Sequence, residues 1–209
     1  MVDDFDLLTR WRDGDRQAGS DLLARHFDSL YRFFRNKLGG DFDDLIQKTF
    51  LACVESVDRF RGDASFRSYL FTVARNELYH HFERLHRGRK MQVDLGTMSV
   101  AQLGSSPSSK AARKEEEQLL LEALSKIPVD LQIALELFYW EGLTTAEIAS
   151  VLGLPPGTAK SRLRRAREAV EAAMRECAAT PGTLASTLNR FDHWAVAVRA
   201  AVERPDRKD

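Results

Sequence analysis

Apolar residues recur along this 209-residue chain at helical spacing, and no stretch alternates like a strand for long. Phe5, Leu7, Leu8 and Trp11 open the pattern, and Asp13-Gly14-Asp15 turns the chain. Leu22, Leu23, His26, Phe27, Leu30, Tyr31 and Phe34 then repeat along one face until Gly39-Gly40 interrupts them. A third helix opens on Asp41, Asp43 and Asp44, favourable against the helix dipole. Its buried face is expected to hold Leu45, Ile46, Thr49, Phe50, Cys53, Val54 and Val57, leaving Asp44, Gln47, Lys48 and Glu55 outside. From about Ser65 a longer helix turns Phe66, Tyr69, Leu70, Val73 and Ala74 inward. It runs on through Arg75, Asn76, Tyr79, His80, His81, Phe82 and Arg84, a mixture able to stack on bases and grip phosphates. On composition alone, a core role for Tyr79 and Phe82 is an equal alternative.

Residues 91–112 change character, with Gly96, Gly104 and Pro107 among serines, and read as a flexible or extended linker. Helical spacing resumes at 113 with Leu119, Leu120, Leu124 and Ile127, is broken by Pro128, and continues through Leu131, Ile133, Ala134, Leu137, Phe138 and Trp140. Beyond residue 177, Leu184, Leu188, Phe191, Ala195, Val198 and Val202 outline an amphipathic helix ahead of a polar tail. The fold class is therefore all-α: a helical domain over 1–90, the linker at 91–112, a four-helix domain over 113–176 and an extension over 177–209.

Residues 143–167, LTTAEIASVLGLPPGTAKSRLRRAR, are the densest motif. Thr144 and Glu147 have the spacing of a capping box, and Ile148, Ala149 and Leu152 give a small apolar face. Gly153 ends that helix, and Pro155-Pro156-Gly157 opens the next. Ala159, Leu163, Ala166 and Val170 form its buried stripe, while Lys160, Ser161, Arg164, Arg165 and Arg167 point away. An apolar back and a basic front on a helix braced by a preceding one describe a helix-turn-helix reader of the DNA major groove.

Lysine plus arginine and aspartate plus glutamate each number 31, so the formal net charge is zero. A DNA-binding protein needs basic charge locally rather than overall. The two cysteines, Cys53 and Cys177, do not make a disulfide framework, and a reducing compartment is natural. No signal peptide or membrane-crossing run is evident. His80 and His81 diverge by about 100° on a helix, so they do not share a metal ion, and no Cys/His set has zinc-site spacing.

With both halves read, the chain resembles the sigma-70 family of bacterial transcription initiation factors, in its extracytoplasmic-function (ECF) branch. The resemblance covers about residues 5–175 and rests on three segments in order: DFDDLIQKTFLACVESVDRFRG, ASFRSYLFTVARNELYHHFERLHR and EGLTTAEIASVLGLPPGTAKSRLRRAR. It implies that residues 1–90 are sigma region 2 and residues 113–176 sigma region 4. Asp44, Gln47, Thr49 and Phe50 would then dock on core RNA polymerase. Phe60, Arg61, Gly62, Asp63 and Ser65 fall in the loop that captures a flipped base, and Arg75, Asn76, Tyr79 and His80 on the surface that reads the minus-ten element. Thr158, Lys160, Ser161, Arg164 and Arg165 would face the minus-35 groove. Three departures stand out: Lys48 replaces a usual acid, Pro128-Val129-Asp130-Leu131-Gln132 lacks the arginines common after that proline, and the C-terminal helix exceeds the two-domain pattern.

The expected partners are core RNA polymerase and promoter DNA, with an anti-sigma factor as a further partner found for many members. The expected location is the bacterial cytoplasm, without membrane insertion. The protein is not read as an enzyme, and no cofactor or metal is expected. Two rivals are a stand-alone helix-turn-helix regulator, which would have no use for the first-domain motifs, and a DNA-processing enzyme, which would need a nucleophile or a carboxylate-metal cluster. The C-terminal helix is read as stabilising packing, with inhibitory folding-back as the alternative.

Overall fold

The computed structural model describes residues 3–40, 42–57, 65–87, 92–105, 115–155, 157–178 and 180–189. Its regular elements are the helices α1 (Asp4–Arg12), α2 (Arg16–Arg35), α3 (Asp43–Ser56), α4 (Phe66–His86), α5 (Glu115–Lys126), α6 (Val129–Tyr139), α7 (Thr145–Val151), α8 (Thr158–Cys177) and α9 (Pro181–Asn189). The all-α class expected from the spacing is what the described residues adopt.

Local chemistry starts the helices where the sequence indicates. Asp3, Asp15 and Ser65 cap α1, α2 and α4 by accepting from the backbone N–H of Asp6, Ala18 and Ser68. Gly14, at φ 99°, turns α1 back onto α2. Gly19 lets the two helices touch: a Cβ there would lie 2.7 Å from the Trp11 indole.

Leu22, Leu30, Phe34, Leu70, Phe71, Leu78 and Phe82 form the centre of the first core. Burial pushes the Cys53 thiol up to about 12, so it stays protonated within that core. A second core joins Leu120, Leu124, Leu131 and Leu135 to Ala166, Val170 and Met174 of α8. Leu184 and Leu188 of α9 pack on its edge. Phe191, Ala195, Val198 and Val202 lie outside the described residues.

Helix α6 serves both cores. Val129, Ile133, Ala134 and Leu137 enter the first, and Leu131 and Leu135 the second. A helix with apolar residues on two faces is stable when both are covered, and α6 finds that cover between the halves. Two apolar positions depart from expectation: Val54 and Phe138 are exposed, because α3 and α6 present those faces to solvent.

The part of the linker described here, 92–105, is folded against the halves, unlike the flexible or extended segment its composition suggests. Val93, Leu95, Val100 and Leu103 are buried in the first core. Asp94 closes a turn by accepting from the Gly96 N–H and the Thr97 hydroxyl, at 2.8 and 2.9 Å. The carbonyls of Met98 and Leu95 accept from the N–H groups of Val129 and Asp130, at 2.9 and 2.8 Å. Those N–H groups begin α6 and have no partner within the helix, so the linker caps it.

Polar groups also join the halves. Lys37, just past the end of α2, pairs with Glu136 of α6 and donates to the Phe33 carbonyl at 2.9 Å. Asn36 and Gln132 donate to the same Glu136 oxygen at 2.6 and 2.9 Å. Arg32 and Arg67 each reach the Glu141 carboxylate at 3.0 Å, and Ser29 donates to it at 2.7 Å. Burial alone would push the Glu141 carboxyl up, but Arg32, Ser29 and Arg67 outweigh it and hold the group below the usual range. The network is incomplete: Asn36 Oδ1 and Gln132 Oε1 are buried without a hydrogen-bond partner, each omission costing about 1–3 kcal/mol.

Candidate nucleic-acid interface

The basic surface of α8 is built by the turn before it. Thr144 and Glu147 form the capping box, with the Thr144 N–H donating to Glu147 at 2.8 Å and the Glu147 N–H to Thr144 at 3.3 Å. Gly153 ends α7 in the left-handed region at φ 64°, and the Leu154 N–H reaches back to the Ala149 carbonyl at 2.8 Å. Gly157, at φ 86°, then redirects the chain into α8. Ala159, Ala166 and Val170 are buried, and Leu163 bridges the two cores.

That seating leaves Lys160, Ser161, Arg164 and Arg165 exposed, with Thr158 half-buried at the helix start. The Ser161 hydroxyl donates to the Thr158 carbonyl at 2.8 Å. Arg164 is paired with Glu168 one turn on, at 2.9 Å, with both side chains exposed. Such a pair is worth only a few tenths of a kcal/mol, so a phosphate or a base edge can displace it.

On α4, Asn76 and His80 are exposed and Arg75 and Tyr79 half-buried. With Gln92, Val93, Asp94 and Leu95 of the linker, Arg75, Asn76 and Tyr79 line one cleft. A hydrogen bond from Tyr79 to Glu83 raises the phenol pKa, and His80 lies 3.4 Å from the same Glu83. Arg75 is engaged more firmly: its Nε and Nη2 donate to Asp130 Oδ1 and Oδ2, both at 2.8 Å. That bidentate bond raises the Arg75 pKa further. Ser65 caps α4 and donates to Glu147 of α7. Phe60, Arg61, Gly62 and Asp63 lie outside the described residues.

On α3, Asp44 and Gln47 are exposed and Phe50 is half-buried against Phe27, with ring centroids 6.3 Å apart. Thr49 belongs beneath this surface, because it is fully buried and its hydroxyl donates to the Leu45 carbonyl at 2.7 Å. Lys48 pairs with Asp44 across one helical turn. Exposed Leu51 and Val54 lie in the same stripe and were missed as surface residues. Their helical register with Asp44, Gln47 and Glu55 was the available signal.

Comparison with known proteins matches two family profiles, "Sigma-70 region 2" over residues 22–88 and "Sigma-70, region 4" over residues 117–170. The chain belongs to the sigma-70 family, in its ECF branch. The "ECF RNA polymerase sigma-E factor" of Salmonella typhimurium strain LT2 is 29% identical over 175 residues, spanning 79% of this chain and 91% of the relative. The factor of the same name from Escherichia coli strain K12 shares the same identity and coverage. That of Haemophilus influenzae is 27% identical over 183 residues, spanning 82% and 95%. Among solved structures, CnrH in complex with the cytosolic domain of CnrY has a similar fold, with a TM-score of 0.59 and 24% identity. It covers 82% of this sigma factor and 97% of that chain. The sigma factor RpoE in complex with the anti-sigma factor NepR from Bartonella quintana gives 0.57 at 22% identity, covering 75% and 96%.

Sigma factors are non-catalytic initiation factors. Region 2 spans α2 to α4 and holds the docking and minus-ten candidates; region 4 spans the helix-turn-helix. Among the described residues no helix is long and apolar enough to cross a membrane.

Proposed function

We propose that this sigma factor binds core RNA polymerase through the exposed stripe of α3, directs it to promoters with a minus-ten and a minus-35 element, and promotes melting of the start region. Asp44, Gln47, Leu51 and Val54 provide a mixed polar and apolar docking face. Lys160, Arg164 and Arg165 meet the minus-35 major groove, where one guanidinium bonding bidentately to guanine contributes about 1–3 kcal/mol of discrimination. Asn76, Tyr79 and His80, with Arg75 once released, read the minus-ten strand, and residues 60–65 receive a flipped base. Unstacking a base costs a few kcal/mol, and binding to the single strand offsets it without hydrolysis.

The observation that carries this reading is the exposed basic face of α8 in the same chain, and in family order, as the α3 and α4 surfaces. A protein inhibitor of the anti-sigma kind, as found on the RpoE of similar fold, is a further proposed partner. The test is transcription by purified core polymerase with this protein and a library of promoter fragments, followed by sequencing of the transcripts. Starts downstream of a shared two-part motif are expected. Specific duplex binding without polymerase, and no specific starts, would assign the chain to stand-alone regulation instead.

A further inference from the structure

We propose that the linker completes a base-binding cleft on α4, in which the Asp94 carboxylate selects an unpaired base bearing an exocyclic amino group, cytosine or adenine. This rests on the minus-ten role proposed for α4 and adds a linker residue to it. Arg75, Asn76 and Tyr79 line one side of the cleft and Gln92 and Asp94 the other, around a volume of about 600 Å³. Sites for small organic molecules span about 300–1,000 Å³, so the cleft has room for a base and its sugar.

The linker side is anchored. Val93 and Leu95, on either side of Asp94 in the chain, are buried in the first core. Asp94 itself is exposed, and its carboxylate is held in place by the Gly96 N–H on Oδ1 and the Thr97 hydroxyl on Oδ2, at 2.8 and 2.9 Å. An ionised carboxylate has about four lone-pair sites, so the turn leaves acceptor capacity for a ligand. The charge of Asp94 is felt by both Arg75 and Tyr79 across the cleft.

The lining favours a base over a phosphate. Asp94 repels anions, Glu83 accepts from Tyr79, and Asp130 takes the Arg75 fork at Nε and Nη2. The guanidinium that a phosphate would seek is therefore already neutralised. What the cleft offers instead is an aromatic ring for stacking at Tyr79, carboxamides at Asn76 and Gln92 that both donate and accept, and a carboxylate that only accepts. A carboxylate bonds to the amino group of cytosine or adenine, whereas thymine and guanine present a carbonyl oxygen at the corresponding edge. The linker would thus set base preference at one minus-ten position, a role absent from the helix alone.

Two measurements on the full chain decide this. In the first, core polymerase with this protein transcribes a promoter library randomised over the minus-ten element, and the transcripts are sequenced. The wild type should favour cytosine or adenine at one position by about fivefold or more. Asp94→Asn keeps the acceptor for the Gly96 N–H but turns the other arm into a donor. It should abolish that preference or transfer it to thymine or guanine, with the other positions unchanged. An unchanged profile, or an equal loss at every position, would overturn the proposal. In the second, the free protein is titrated with deoxycytidine, deoxyadenosine and thymidine, and the side-chain amide signals of Asn76 and Gln92 are followed by NMR. They should respond to deoxycytidine or deoxyadenosine at concentrations about fivefold or more below those needed for thymidine, and Asp94→Asn should erase or reverse that order. No response, or the same response to all three nucleosides, would overturn the cleft as a base site. If the wild type gives no specific starts, the initiation-factor assignment fails, and the nucleoside titration still decides what the cleft binds.

Discussion

Lys37 and Glu136 form an ion pair that water does not reach: Lys37 is 0% exposed and Glu136 3%. The two charges come from opposite halves of the chain, and the Lys37 ammonium also sits 3.9 Å from the Phe33 ring centroid. Burial lowers the Lys37 pKa and raises that of Glu136, and each partner's charge opposes the shift of the other. Removing one member leaves the other charge buried alone. Glu136→Gln is therefore expected to destabilise the folded chain by about 3–5 kcal/mol, whereas Lys37→Met with Glu136→Met recovers most of that loss. Urea unfolding of the wild type, Lys37→Met, Glu136→Met and the double variant completes the cycle.

The stability of the first half should depend on pH through His26. Burial lowers its pKa below 6.5, opposed by Asp4, whose Oδ2 lies 2.7 Å from His26 Nε2. The unfolded chain therefore takes up the proton first, and stability declines as pH falls through about 6.5, levelling off below the folded-state value. His26→Gln should show a shallower decline in urea midpoint between about pH 7.5 and about pH 5.5. Subtracting the two profiles cancels the other titrating groups, including His81 and Glu136. A steeper decline in the variant would assign the opposite sign to His26.

Arg165 and Arg164 share the exposed face of α8 but differ in their surroundings, since Arg164 is paired with Glu168. Arg165→Ala is expected to cost about 1–3 kcal/mol on the preferred minus-35 sequence and less on a mismatched one, narrowing the preference. Titration of matched and mismatched duplexes with holoenzyme measures both values. A uniform loss would reassign Arg165 to the phosphate backbone.

Substitutions along α3 should separate surface from support. Asp44→Ala and Leu51→Ala are expected to weaken core-polymerase binding by about 1 kcal/mol or more each, with little change in unfolding free energy. Thr49→Ala should do the reverse, losing about 1 kcal/mol of stability through its buried hydroxyl and leaving polymerase affinity unchanged. Fluorescence titration against core enzyme, paired with urea unfolding, distinguishes the two classes.

Local chemistry made much of this molecule legible in advance. The capping box at Thr144 and Glu147, the left-handed Gly153 and the stripe through Ala159, Ala166 and Val170 each depend on neighbours within one or two turns, so spacing alone located the helix-turn-helix. Long-range polar contacts left no such trace. Nothing in the spacing of Asp130, Glu136 and Glu141 indicates that Arg75, Lys37 and Arg32 lie across from them. The linker escaped for a related reason. Gly96 and Ser99 suggest an open spacer, but Leu95 and Val100 become core once α6 offers them a wall. Val54 departs in the other direction, because an exposed apolar side chain beside a buried stripe has nearly the same period as one in the core.

Helix α6 is the wall between the two cores, and its double burial limits what the chain can do unaccompanied. Moving the second half away from the first uncovers Val129, Ile133 and Leu137 together with the linker side chains packed beside them. At about 25 cal/mol per Å² of apolar surface exposed to water, such a strip is expensive to bare and adhesive once bared. The surface of α6 that faces the first half therefore stays out of water only while a partner of comparable extent covers it.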